Sequence, residues 1–316
     1  MATSPAGATR RPLELETDEA PLALRFYQVT SADGTQIQAW TNDADGPTVL
    51  LCNGLGTNPY AWPALLRKDC GVRVLSWNHR GVGGSERPRD PNRVGVDAFV
   101  EDALAVLDDA GVASCVVAGW SIGVNTSFEL AVRHPERVEG LFAVAGVPGG
   151  TFASMGAPLF IPRPARRPVA RAVTASLQKL GPVLSPLASR LPIGPLASYV
   201  LQHSGLMFPG ADPAVVRQAV RSYLDTPFQW GMHLALVADQ HARVSLRSIK
   251  VPTTFIAGKF DMLASAHDMG TAAVRIPEAE YVVLRGSHFI QMEQPEAVHQ
   301  HLLDLLDRVP QRRPGS

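Results

Sequence analysis

The sequence predicts an α/β fold: a mostly parallel, doubly wound sheet covered by helices on both faces, with an inserted, mainly helical cap. Three observations lead there. Strand-like apolar runs alternate with helix-like periodic runs from about residue 24 to residue 147. That alternation stops near Pro148 and resumes near Val251. Finally, Gly119-Trp120-Ser121-Ile122-Gly123 sits where a strand-like run meets a helix-like run.

Residues 24–29 and 36–41 read as a hairpin across Ala32-Asp33-Gly34, because Asp-Gly is a strong short-range turn signal. Residues 48–52 and 72–77 are short apolar runs typical of buried strands, with a polar loop and a short helix over 62–67 between them. Residues 97–110 place Phe99, Val100, Ala103, Leu104, Val106 and Leu107 at helical period with acids on the other face. A strand over 113–118, a helix over 121–134 ending before Pro135, and a strand over 138–147 follow. Beyond the insertion come a strand at 253–257, a helix at 267–274, a strand at 280–284 and an amphipathic helix at 295–306. The expected organisation is a leader over 1–21, a core over 22–148 and 249–310, a cap over 149–248 and a tail over 311–316. The cap reads as rich in proline and arginine early and helical later, notably over 213–224.

A chain of 316 residues with 46% hydrophobic content can bury a sizeable core. Lys plus Arg equals Asp plus Glu at 29 each, so no net field would gather nucleic acid or an acidic membrane surface. Cys52, Cys70 and Cys115 are odd in number, lack metal-ligand spacing and read as small buried apolar residues in a reducing compartment. The leader lacks the apolar stretch of a secretory signal, and the most apolar region, 180–207, is broken by four prolines. A cytoplasmic protein without stable membrane insertion, metal or organic cofactor is therefore expected.

The pentapeptide at 119–123 matches G-x-S-x-G, in which a sharp turn between strand and helix exposes a strained serine. Ser121 is the candidate nucleophile. A serine hydroxyl needs a base to take its proton, and the base needs a third group to fix its tautomer. In an elbow-type site these follow in the order serine, acid, histidine. His288 lies directly after the 280–284 strand, whereas His134 adjoins a helix-ending proline, His299 and His301 lie on the last helix, and His203, His233 and His241 belong to the cap. Asp261 falls after the 253–257 strand; Asp268, the alternative acid, lies within a helical run. The candidate oxyanion donors are the backbone N–H of Ile122, next to the nucleophile, and of Leu55, in the glycine-rich loop 52–57. Gly54, Trp120, Met262 and Phe289, with Trp62 nearby, are candidates for the pocket wall. Met155, Leu159, Phe160, Ile161, Leu206, Met207 and Phe208 suit a greasy ceiling. Arg166, Arg167 and Arg171 read as a solvated face, with an anionic substrate group as the alternative.

With these residues in place the chain resembles an α/β-hydrolase over about residues 24–308, in particular the capped, bacterial esterase-like branch. That branch also includes cofactor-free haloperoxidases, carbon–carbon bond hydrolases and polyester depolymerases. The match is carried by Asn53-Gly54-Leu55-Gly56, by 78–85 (Asn-His-Arg-Gly-Val-Gly-Gly-Ser), by the elbow, and by Gly286-Ser287-His288 with Glu293-Gln294-Pro295. Two positions depart from the family's usual pattern: Asn53 stands where a histidine is common, and Asn78 where an aspartate is common. The resemblance implies that epoxide-opening and halide-removing members use aspartate as nucleophile, so Ser121 argues against both. The expected activity is hydrolysis of a small-molecule carboxylic ester with an apolar acyl or alcohol group through an acyl-enzyme, of the carboxylesterase class. Carbon–carbon bond hydrolysis, thioester hydrolysis and perhydrolysis share the constellation, and a ligand receptor that keeps the triad is the rival from another class.

Overall fold

The computed structural model describes residues 24–310 except 189, 191, 192 and 243, so the expected leader and tail lie outside the described residues. Its eight strands are β1 (Arg25–Thr30), β2 (Gln36–Thr41), β3 (Thr48–Cys52), β4 (Arg73–Trp77), β5 (Cys115–Trp120), β6 (Val138–Val144), β7 (Thr253–Gly258) and β8 (Glu280–Leu284). They form one sheet in the order β1-β2-β4-β3-β5-β6-β7-β8. The β1–β2 and β2–β4 pairs are antiparallel, and every other pair is parallel.

Period-2 alternation sends successive side chains to opposite faces. Leu50, Cys52, Cys115 and Val117 join one apolar cluster, under α1 (Val96–Asp109) and α2 (Gly123–Arg133). Val49, Leu51, Val116 and Ala118 join the other, under the last helix. The expected helix over 62–67 is instead two 3-10 turns, Pro59–Ala61 and Pro63–Leu66. A proline opens each turn, and Pro63 cannot donate the N–H that a continuous helix would need.

Between β6 and β7 come α3 (Thr151–Ser154), α4 (Arg163–Ala188), α5 (Pro195–Gln202), α6 (Pro213–Leu224) and α7 (Phe228–Ala238). The helix α4 runs 26 residues through Pro168, Pro182 and Pro186, where the sequence suggested a proline-rich, less regular start. Tertiary contact overrides propensity here. Arg167 and Arg171, near one end of α4, reach Asp239 at the C-terminal end of α7 (3.2 and 2.8 Å). At its other end a Cβ on Gly181 would collide with Gln229 of α7, so the two helices lie antiparallel in close contact.

After β7 come α8 (Ala266–Ala273), α9 (Ile290–Glu293) and α10 (Pro295–Arg308). The insertion is tied to loops of the sheet. Trp230 donates to the Arg80 carbonyl (2.8 Å), Asn58 to that of Ala219 (3.0 Å), and the Phe208 N–H to Glu293 (2.8 Å). Below them Arg80, with its side chain fully buried, grips Asp102 (2.8 Å), Asp33 (2.6 Å) and Ser31 (3.0 Å), joining the 78–85 segment to the hairpin and α1. Among the described residues no helix is long and apolar enough to cross a membrane.

Candidate active site

Because β3, β5, β6, β7 and β8 run parallel, their C-terminal ends share one edge, and the loops leaving them converge there. Ser121 follows β5 with φ +56°, a left-handed conformation that costs a side-chain-bearing residue roughly 1–2 kcal/mol. Its N–H donates to the Val144 carbonyl (3.0 Å) and its own carbonyl accepts from Val124 (3.1 Å), so both neighbours hold the turn. The elbow glycines are required for close approach. A Cβ on Gly119 would meet Ser127 and Val124, and one on Gly123 would fall on the Cys52 carbonyl. Gly146, which no local pattern singles out, has the same role: a Cβ there would strike the Ser121 carbonyl and Val124.

The His288 Nε2 lies 2.9 Å from Ser121 Oγ, and its Nδ1 lies 2.9 and 3.1 Å from the two carboxylate oxygens of Asp261. Asp261 is 1% exposed and His288 5%. The Leu263 and Ala264 N–H groups also donate to Asp261 Oδ1 (2.7 and 2.8 Å). An ionised carboxylate only accepts, so it fixes the proton on Nδ1 and leaves Nε2 free to accept from the serine hydroxyl. Asp268 is not part of this line; it pairs with Arg163 and faces Arg166. Other histidines are engaged elsewhere: His299 contacts the Cys70 carbonyl, His233 that of Pro91, and His241 approaches Glu129. Cys52, beside the site, is no rival nucleophile, since burial pushes its thiol pKa far up.

Ile122 occupies the N-cap position of α2, and Leu55 lies in the loop after β3. The contact of Gly123 with the end of β3 brings these segments together. Neither the Leu55 nor the Ile122 N–H donates to an acceptor among the described residues. Asn53 shapes the loop through its side chain. It donates to the Asn58 carbonyl (3.2 Å) and accepts from the Gly54 N–H (3.0 Å) and the Trp62 indole (3.1 Å).

A family model described as "alpha/beta hydrolase fold" matches residues 47–295. The chain belongs to the alpha/beta hydrolase fold family. A curated relative, epoxide hydrolase B of Mycobacterium tuberculosis, is 29% identical over 144 residues, a match that spans only 40% of this chain and 40% of that protein. The 3-oxoadipate enol-lactonase 2 of Acinetobacter baylyi is 25% identical over 270 residues, covering 85% of this chain and 92% of the relative. The crystal structure of an enol-lactonase from Burkholderia xenovorans is similar with a TM-score of 0.66 at 25% identity, covering 89% of this chain and all of that one.

Around the Ser121, His288 and Asp261 contacts of this alpha/beta hydrolase fold protein, Trp120 is buried, its ring against Gly54 and its indole N–H donating to the His288 carbonyl (3.0 Å). Phe289 packs edge-on against that ring, and the half-buried Met262 accepts from the Gly156 N–H (2.8 Å). Sequence reasoning did not assign a role to Glu293. Its buried carboxylate accepts from Ser287 N (2.8 Å), Ser287 Oγ (2.5 Å) and Phe208 N (2.8 Å), fixing the residue before His288. The expected ceiling divides: Met207 is buried and Phe208 stacks on Phe260, but Leu159, Phe160 and Leu206 face solvent. Arg167 and Arg171 are committed to Asp239. A cleft of about 720 Å³ between Gly150, Arg163, Leu246 and Asp268 has none of Ser121, Asp261 or His288 in its lining.

Proposed function

We propose that this protein is a serine hydrolase that cleaves a carboxylic ester with a small to medium apolar acyl or alcohol group through an acyl-enzyme. The observation that carries the reading is the unbroken line of contacts from Ser121 Oγ through His288 to the buried Asp261. Ser121 Oγ bonds to the ester carbonyl carbon while His288 takes its proton, and ionised Asp261 stabilises the imidazolium. The negative oxygen of the tetrahedral intermediate accepts from the Leu55 and Ile122 N–H groups at the positive end of α2. Collapse breaks the bond to the alcohol, which leaves with the proton from His288. Water, deprotonated by the same imidazole, then releases the acid and restores Ser121.

The enol-lactonase relatives support an ester bond as target, because a lactone is an internal ester. The epoxide hydrolase relative does not carry over. An epoxide opened by a serine hydroxyl would leave an ether, which a base-activated water does not hydrolyse. We further propose that residues 149–248 act as a cap over the core of 22–148 and 249–310, with Gly54, Trp120, Met262 and Phe289 as the apolar wall. Phe208, stacked on Phe260 at 5.3 Å, is consistent with an apolar limit to the acyl site. The test is release of p-nitrophenol from acetate, butyrate and palmitate esters by the wild type and by Ser121→Ala. Turnover by the wild type alone, falling off toward palmitate, is expected; equal turnover by both proteins would overturn the assignment.

A further inference from the structure

The net charge of zero conceals a long segment of one sign. Between Glu139 and Asp212 there is no Asp or Glu, and there are six Lys or Arg. The same segment carries most of the exposed apolar surface. Of the fourteen large apolar or aromatic side chains exposed among the described residues, ten lie between Leu159 and Leu206. Scattered exposed apolar residues are ordinary, but a row along one helix face is not.

Val169, Val173, Leu180 and Val183 form such a row. At 3.6 residues per turn they fall within a stripe of about 80° on the outer face of α4, away from α7. In the turn leading into α4, Phe160 is 92% exposed and has a left-handed φ of +58°. The surrounding cations are partly neutralised, since Arg163 and Arg166 face Asp268 while Arg167 and Arg171 face Asp239. Lys179, flanking the stripe, and Arg190, beyond the end of α4, have no carboxylate partner among the described residues.

We propose that the outer face of α4, with Phe160 at its leading turn, docks peripherally on an anionic lipid bilayer. Charge complementarity selects this occupant. A second copy seated on the same face by two-fold symmetry would set an acid-free, cationic segment against itself. An anionic bilayer offers headgroups to the unpaired Lys179 and Arg190, and acyl chains to Phe160 and the valine–leucine row. The proposal does not depend on the chemistry at Ser121.

The experiment is flotation of the full chain with vesicles of phosphatidylcholine, alone or with about 30% phosphatidylglycerol, at low and raised salt. Wild type and Ser121→Ala are expected to float alike with the anionic vesicles, at least about tenfold more than with phosphatidylcholine alone, and less at high salt. The double variant Val173→Asp/Leu180→Asp is expected to lose about tenfold, and Lys179→Glu about fivefold. Thermal unfolding checks that the double variant is folded, and Lys179→Glu and Phe160→Ser carry the same comparison if it is not. Wild type that does not float with anionic vesicles, or variants that float as well as it does, would overturn the proposal. So would a wild-type dimer in sedimentation velocity that Val173→Asp/Leu180→Asp converts to monomer while neither protein floats, because the face would then join copies of the chain.

Discussion

At Ser121 a positive φ turns the chain out of β5, and His288 Nε2 lies 2.9 Å from the hydroxyl oxygen, where in the proposed mechanism it would take the proton. Ser121→Ala is expected to lower kcat on p-nitrophenyl butyrate by at least about 10³-fold, with KM little changed, in steady-state assays. Asp261→Asn should cost about 10⁴-fold, because an amide can donate to Nδ1 and hold the wrong tautomer. Glu293→Gln tests a positioning role. One oxygen that accepts from Ser287 becomes a donor, so kcat should fall roughly 10-fold to 100-fold while KM stays near wild type. A rise in KM alone would contradict that role. That Ser121, Asp261 and His288 come together was legible in the sequence because each lies just past a strand end, in the order an elbow-type site would need. The role of Glu293 was not legible, since it joins Ser287 to Phe208, 85 residues away, and no local pattern reports that contact.

At the scale of elements, the elbow works because α2 begins against the end of β3. Gly123→Ala would drive a Cβ into the Cys52 carbonyl, so the helix must shift and carry Ile122 with it. We expect kcat to fall more than about 100-fold and the thermal midpoint to drop, both read on the purified variant. Arg80→Ala would leave Asp102 buried without its partner, at a cost of about 3–5 kcal/mol in urea unfolding. The core strands and α1 were legible to within a few residues, because alternation and helical period follow directly from burial. The course of α4 was not, because Pro168, Pro182 and Pro186 oppose a helix, and what sustains it is contact with α7. The 3-10 turns at 59–66 were likewise hidden behind an apolar helical spacing that Pro63 interrupts.

For the whole molecule, the sheet order gathers the loops that follow the parallel strands at one edge, and the stability of that arrangement has a pH dependence that can be assigned. His79 is buried against Phe99, and burial lowers its pKa from 6.5 to about 4. The unfolded chain therefore takes up that proton first, and stability is lost as pH falls from about 6.5 through 4, by roughly 3 kcal/mol. Thermal midpoints measured across this window should fall steeply in the wild type and less steeply in His79→Gln. An equal slope in both proteins would place the acid sensitivity elsewhere. That Ser121, activated by His288, is the nucleophile can be read from reaction of the full chain with a p-nitrophenyl phosphonate, followed by peptide mass spectrometry. One adduct per chain on Ser121, absent in Ser121→Ala and greatly slowed in His288→Ala, is the predicted result; no adduct, or an adduct on another residue, would contradict it.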